Sequence, residues 1–184
     1  MQGLTQDVAT AVMLVMLAAA AYTDWKTGFI PNRVVVGGAF GGVLAHCAVW
    51  WTSGAGAALI VAQAAALGLV LCVLVPAVLW GLGGLGGGDL KLFAAIGLCA
   101  GPMTGLDIQL AAYLLAMLFM PFYLAKQGRL AASLRLTTTV LKRWLTPRRR
   151  REPLPAEAQS QLRFAPCIFV AALAVICVQR LGGY

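Results

Sequence analysis

"GLGGLGGGDLKLF", residues 81–93, sets six glycines around one aspartate, between two strongly apolar stretches. Glycine is a poor helix former. A carboxylate in hydrocarbon costs roughly 2.5–3.5 kcal/mol near mid-depth. The setting is nevertheless a membrane one. Of the 184 residues, 61% are hydrophobic and 11% charged, and the mean hydropathy is +0.85. An ordinary soluble domain is nearer half apolar and a quarter charged. The composition therefore excludes a mainly soluble chain and points to an all-α bundle in a membrane, with Asp89 and its glycines as the feature that needs a reason.

Outward from that stretch, six apolar segments are long enough to be candidate spans, at roughly 5–23, 34–51, 56–80, 90–105, 107–125 and 164–181. The fourth is short, and its border with the fifth falls near "GPMTGLD". "GGAFGG" at 37–42 holds two overlapping GxxxG pairs, Gly37/Gly41 and Gly38/Gly42, which favour close helix approach. The first segment has no Lys or Arg ahead of Lys26 and so lacks the basic region of a secretory signal; it reads as a retained span.

The basic residues set the orientation. Ten of the fourteen lie between Lys126 and Arg163, and Lys26, Arg33 and Lys91 flank the connections near 24–33 and 81–91. With six spans these regions share one side, leaving Arg180 alone on the other. By the positive-inside rule the shared side is cytoplasmic. Within 126–163, Leu130, Leu134, Leu141 and Leu145 recur at helical spacing among Arg129, Arg135, Lys142 and Arg143. This reads as a basic amphipathic helix on anionic cytoplasmic lipid, with a partner-docking patch as the other possibility. A membrane surface already accounts for the charge, so no nucleic acid is implied. The organisation expected is a core at 1–125, a basic cytoplasmic loop at 126–162 and a final span at 163–184.

Five cysteines, none in a CxxC pair, read as small buried hydrophobes, and the single His46 reads as a packed or interhelical hydrogen-bonding residue. Neither a metal site nor a cofactor is expected.

Six residues are acidic. Asp7 and Asp107 look like solvated ends of spans, and Glu152 and Glu157 lie in the polar stretch "EPLPAEAQSQ". Asp24 ends the first span and Asp89 opens the fourth. The chain crosses twice between them, so both return to one face at similar depth. Two carboxylates held close cannot both ionise easily and share a proton. One then activates a water while the other donates to a peptide carbonyl, as an aspartyl protease requires. Gly86, Gly87 and Gly88 would let the backbone open out and approach a substrate strand without obstruction. Pro31 and Asn32 end the first loop before a new helix. The competing reading of Asp89 is a solvated helix cap. Lys91, two residues on, faces away from Asp89 and is expected to snorkel to the headgroups.

"GGGDLKL" resembles the GxGD motif of intramembrane aspartyl proteases, and "DWKTGFIPN" resembles the first aspartate motif of the prepilin peptidases in particular. The two occur in the right order, about 65 residues apart. The resemblance covers roughly 10–125 and touches "RFAPCIF" at 163–169, similar to the family's late Pro-containing motif. It implies a bundle of about six transmembrane helices with a GxGD active-site loop, lying in the inner (cytoplasmic) membrane. It implies Asp24 and Asp89 as the catalytic pair, with Lys91, Pro31 and Asn32 supporting the motifs. The substrate implied is a prepilin, a basic leader joined to a hydrophobic helix. With no CxxC motifs or methyltransferase domain, the chain resembles the short peptidase-only members of tight-adherence (Flp-type) systems, and no N-methylation is expected. An archaeal preflagellin peptidase would share the mechanism. A presenilin type fits less well, because Thr23 stands where that group has Tyr before Asp. Paired aspartates also suit a proton- or cation-coupled transporter, and the basic loop also suits a non-catalytic scaffold.

Overall fold

A computed structural model describes residues 2–82, 84–126, 128, 138 and 163–182; the side chains at 2–6, 49–53, 120 and 124 fall outside that description. The described residues are helical, with no strand among them. In chain order they form α1 (Gln2–Thr27), α2 (Asn32–Gly81), α3 (Gly87–Ala100), α4 (Pro102–Lys126) and α5 (Ala165–Leu181). The expected basic amphipathic helix within 126–162 lies almost wholly outside the described residues.

Helix α2 is two arms. Gly54 interrupts it with φ +81° and ψ 173°, a conformation that favours glycine. The arms correspond to the second and third apolar segments of the sequence. Glycine also divides α3 from α4. Gly101, at φ +76°, ends α3, and Pro102 opens α4, where a missing N–H costs nothing. The border between the fourth and fifth segments is thus at Gly101, the first residue of "GPMTGLD". Apolarity runs straight through this point, so hydropathy alone places it poorly.

Three helices are long and apolar enough to cross a membrane by themselves, namely Asp7–Thr27, Gly54–Gly81 and Pro102–Tyr123. The chain is a multi-pass membrane protein on that basis. Helix α5 is shorter at 17 residues, and α3 has 14. At 1.5 Å per residue α3 covers about 21 Å, against about 30 Å of hydrocarbon. A short helix is tolerated here because its neighbours enclose it. Leu92, Phe93 and Ile96 are fully buried, in one core with Met13 and Leu17 of α1, Ile108 and Ala112 of α4, and Ile168 and Ala172 of α5.

Small residues allow that enclosure. A Cβ on Gly38 or Gly41 would run into Met16 or Val12 of α1, and one on Gly42 would meet Cys99 of α3. Gly37, the remaining member of the GxxxG pairs, faces open space. A Cβ on Gly68 would strike the Gly97 carbonyl, so the second arm of α2 crosses α3 at backbone contact. His46 bridges the first arm to α3, with Nε2 3.0 Å from the Leu98 carbonyl oxygen. Cys72 and Cys99 are buried as expected, whereas Cys47 and Cys177 are exposed on the outer surface of the bundle, where lipid tails accept a small apolar group as readily as a core does.

Candidate active site

The motif segments meet at one end of the bundle. Thr23 stays in the last turns of α1 by donating to the carbonyls of Ala19 and Ala20, each at 3.0 Å. Gly28, at φ +67°, then turns the chain out of the helix. Ile30 folds back into the core, and Pro31 adopts an extended conformation as the residue before α2. Pro31 and Asn32 therefore end the loop and begin a helix, as their sequence indicates.

Helix α3 starts beside this loop. A Cβ on Gly88 would come within 3.2–3.5 Å of Ile30, so the two motif segments touch through a glycine. Gly86 precedes the helix with φ −74° and ψ 147°, and Gly87 and Gly88 belong to its first turn. These angles are open to any residue. Within 86–88, open, extended backbone is confined to Gly86; close packing accounts for Gly88, and the nearness of the Asp89 carboxylate, 3.1 Å from where a Cβ would stand, accounts for Gly86. The segment is a helix start as much as a loop.

Asp24 and Asp89 are 5% and 7% exposed, so neither is a solvated cap. The contact of Gly88 with Ile30 sets the start of α3 against the loop that follows α1, which brings Asp24 and Asp89 to the same end of the bundle. Asp89 lies beside the backbone N–H of Gly86. Asp24 Oδ2 accepts a hydrogen bond of 3.2 Å from the backbone N–H of Ala165. That donor opens α5, inside the "RFAPCIF" segment, where helix N-termini favour anions. Arg163, two residues earlier, donates to the Trp25 carbonyl and lies over the Trp25 ring at 6.0 Å. The late motif thus reaches Asp24 through its backbone.

Lys91 does not simply reach for headgroups. Its Nζ donates to Asn32 Oδ1 at 2.9 Å, tying α3 to the start of α2 on the exposed side of the site. From this pair a groove of about 330 Å³ runs between Val36, Leu69, Ala94 and Leu98. Among the described residues, no three or more His, Cys, Asp or Glu side chains gather as metal ligands would.

Two polar residues next to the site stand outside both motifs. Gln109 of α4 is 3% exposed. Its Nε2 is 3.4 Å from the Cys72 carbonyl oxygen and 3.3 Å from Tyr113 Oη. Tyr113 packs against Phe93 of α3 and Phe164 before α5, with ring centroids 5.6 and 5.8 Å away. A lone amide in the apolar run "DIQLAAYLLAM", with a tyrosine one turn on, is the sequence signal for this pair.

The opposite end of the bundle holds the other described acids. Asp7 pairs with Arg180, and Asp107 Oδ2 accepts from Gln179 Nε2 at 3.4 Å. Both acids are exposed but partnered, where simple solvation was expected.

No curated protein and no solved structure matches the chain. Residues 11–122, which carry both aspartates, both motif loops and the Gln109–Tyr113 pair, match the type IV leader peptidase family, and the chain belongs to that family.

Proposed function

We propose that the protein is an intramembrane aspartyl endopeptidase that removes the basic leader of type IV prepilins, with Asp24 and Asp89 as its catalytic pair. The observation that carries this reading is the burial of two carboxylates from distant parts of the chain in one site. Burying a carboxylate is costly, and a site that keeps two such groups gains chemistry from them. One aspartate, ionised, takes a proton from a water as that water attacks the scissile carbonyl. The other, protonated, donates to the carbonyl oxygen as the tetrahedral intermediate forms. Collapse of the intermediate returns a proton to the leaving amine and breaks the C–N bond. Pro31, Asn32 and Lys91 hold the motif loops together, Gly86 keeps the space beside the Asp89 carboxylate clear of a side chain, and Gly88 lets the two loops pack together.

The groove beside Asn32 and Lys91, apolar beyond its cationic mouth, suits a substrate whose cleavage point adjoins a hydrophobic helix. Lys26, Arg33, Lys91 and Arg163 all belong to the aspartate end, which supports a cytoplasm-facing site in the inner membrane. Within the family, an Flp-type prepilin is the substrate proposed. Residues 1–125 form the peptidase core in this reading, 126–162 a basic loop on anionic lipid, and 163–184 a last span whose first N–H serves Asp24.

The test is leader release. Purified protein in vesicles with an Flp-type prepilin should yield the shortened pilin, read by mass. A precursor that stays intact while a known prepilin peptidase processes it would overturn the assignment.

A further inference from the structure

Tyr113 occupies a place that the two motifs do not explain. Asp89 lies twelve residues before Gly101 and Tyr113 twelve residues after it. Phe93 of α3 and Tyr113 of α4 touch across that glycine, so the two helices fold back on each other and Asp89, one turn from Phe93, comes near the level of Tyr113. Phe164, which stacks on Tyr113 at an interplanar angle of 25°, directly precedes the Ala165 that donates to Asp24. Tyr113 is thus wedged between the elements that carry or hold each carboxylate.

The hydrogen-bond direction at that hydroxyl is fixed by its neighbours. The Cys72 carbonyl can only accept, so the Gln109 group facing it is the amide nitrogen. That nitrogen has two hydrogens, and the second goes to Tyr113 Oη. The hydroxyl oxygen is therefore the acceptor, and its own proton is directed away from Gln109. None of the hydrogen bonds among the described residues takes that proton. A half-buried hydroxyl whose oxygen already accepts from Gln109 can still donate its proton to another oxygen.

We propose that Tyr113 is a positioning residue for the carboxylate pair, its hydroxyl oriented by Gln109 so that it donates to Asp89 in the cleavage-competent arrangement. The inference rests on the peptidase reading and deepens it. The hydrogen bond holds Asp89 in one orientation, and the stacking on Phe164 keeps the Asp24 side in register.

The test is steady-state cleavage of an Flp-type prepilin in vesicles by wild type, Tyr113→Phe, Gln109→Leu and the double variant, with Asp24→Asn as the blank. Tyr113→Phe keeps the ring and its stacking. Its kcat should fall about tenfold, the size of one lost hydrogen bond, with KM and thermal midpoint at wild-type values. Gln109→Leu should lose less, and the double variant no more than Tyr113→Phe alone, because the two act through one bond. A wild-type kcat in Tyr113→Phe overturns the inference while leaving the peptidase reading intact. A loss of kcat that tracks a lowered thermal midpoint also overturns it, since the hydroxyl would then be structural. If wild type releases no leader above the blank, the peptidase reading fails and this inference falls with it.

Discussion

The two ends of the bundle treat their aspartates in opposite ways. At the α1 N-terminal end, Asp7 and Asp107 are exposed and lean on side chains of α5, Arg180 and Gln179. At the other end, Asp24 and Asp89 are buried, and Asp24 accepts from the backbone N–H of Ala165. An exposed ion pair contributes about 0.2–1 kcal/mol and can be exchanged for other polar pairs. Two buried carboxylates oppose folding, and they persist only where surrounding structure holds them. The first arrangement fastens a helix end. The second is the kind a fold retains for chemistry, which is why the proposed function rests on it.

The comparison can be broken at several points. The largest effect on stability is expected at the aspartate end from Gly88→Val. Its side chain would press on Ile30 where the two motif segments touch, costing about 1–3 kcal/mol as overpacking does. Thermal unfolding in detergent measures it, and leader release should fall as well because the Asp89 helix must shift. An unchanged midpoint would mean that the motif segments are not packed as described.

A smaller loss is expected from Asn32→Leu or Lys91→Met, about 0.5–1.5 kcal/mol for one hydrogen bond. The two changes should not add in the double variant, since they remove the same bond. Full additivity would separate Lys91 from Asn32.

The smallest effect belongs to the far end. Arg180→Gln should cost about 0.2–1 kcal/mol, the difference shrinking as salt is raised, with leader release unchanged. A clear loss of cleavage in this variant would erase the distinction between the two ends.

Much of the aspartate end was legible in the sequence. Asp24 and Asp89 stand out because carboxylates are rare in apolar runs, and Gly28, Pro31 and Asn32 are punctuation with local physical causes. The six apolar segments reappear as helices once the arms of α2 are separated at Gly54. The contact from Ala165 to Asp24 was not legible, because its donor is a backbone N–H that leaves no trace in residue type and lies 141 residues away. The Lys91–Asn32 bond joins residues 59 apart, and each is unremarkable as an exposed polar residue at a helix start. Gln109 and Tyr113 were readable in principle as polar residues one turn apart in a span, but only the packing of Phe93 and Phe164 gives them a place beside the site. The ties of Asp7 and Asp107 depend on how α5 docks against α1 and α4, which local pattern does not encode.

The central claim is that Asp24 and Asp89 work as a pair, and the most direct test is leader release by five variants at matched membrane insertion. Asp24→Asn and Asp89→Asn should each lower the rate by roughly 10²–10⁴-fold, the range of general acid–base catalysis, with the double variant little worse than either. Asp7→Asn and Asp107→Asn should cleave at the wild-type rate. Cleavage at the wild-type rate by either Asp24→Asn or Asp89→Asn would contradict the account.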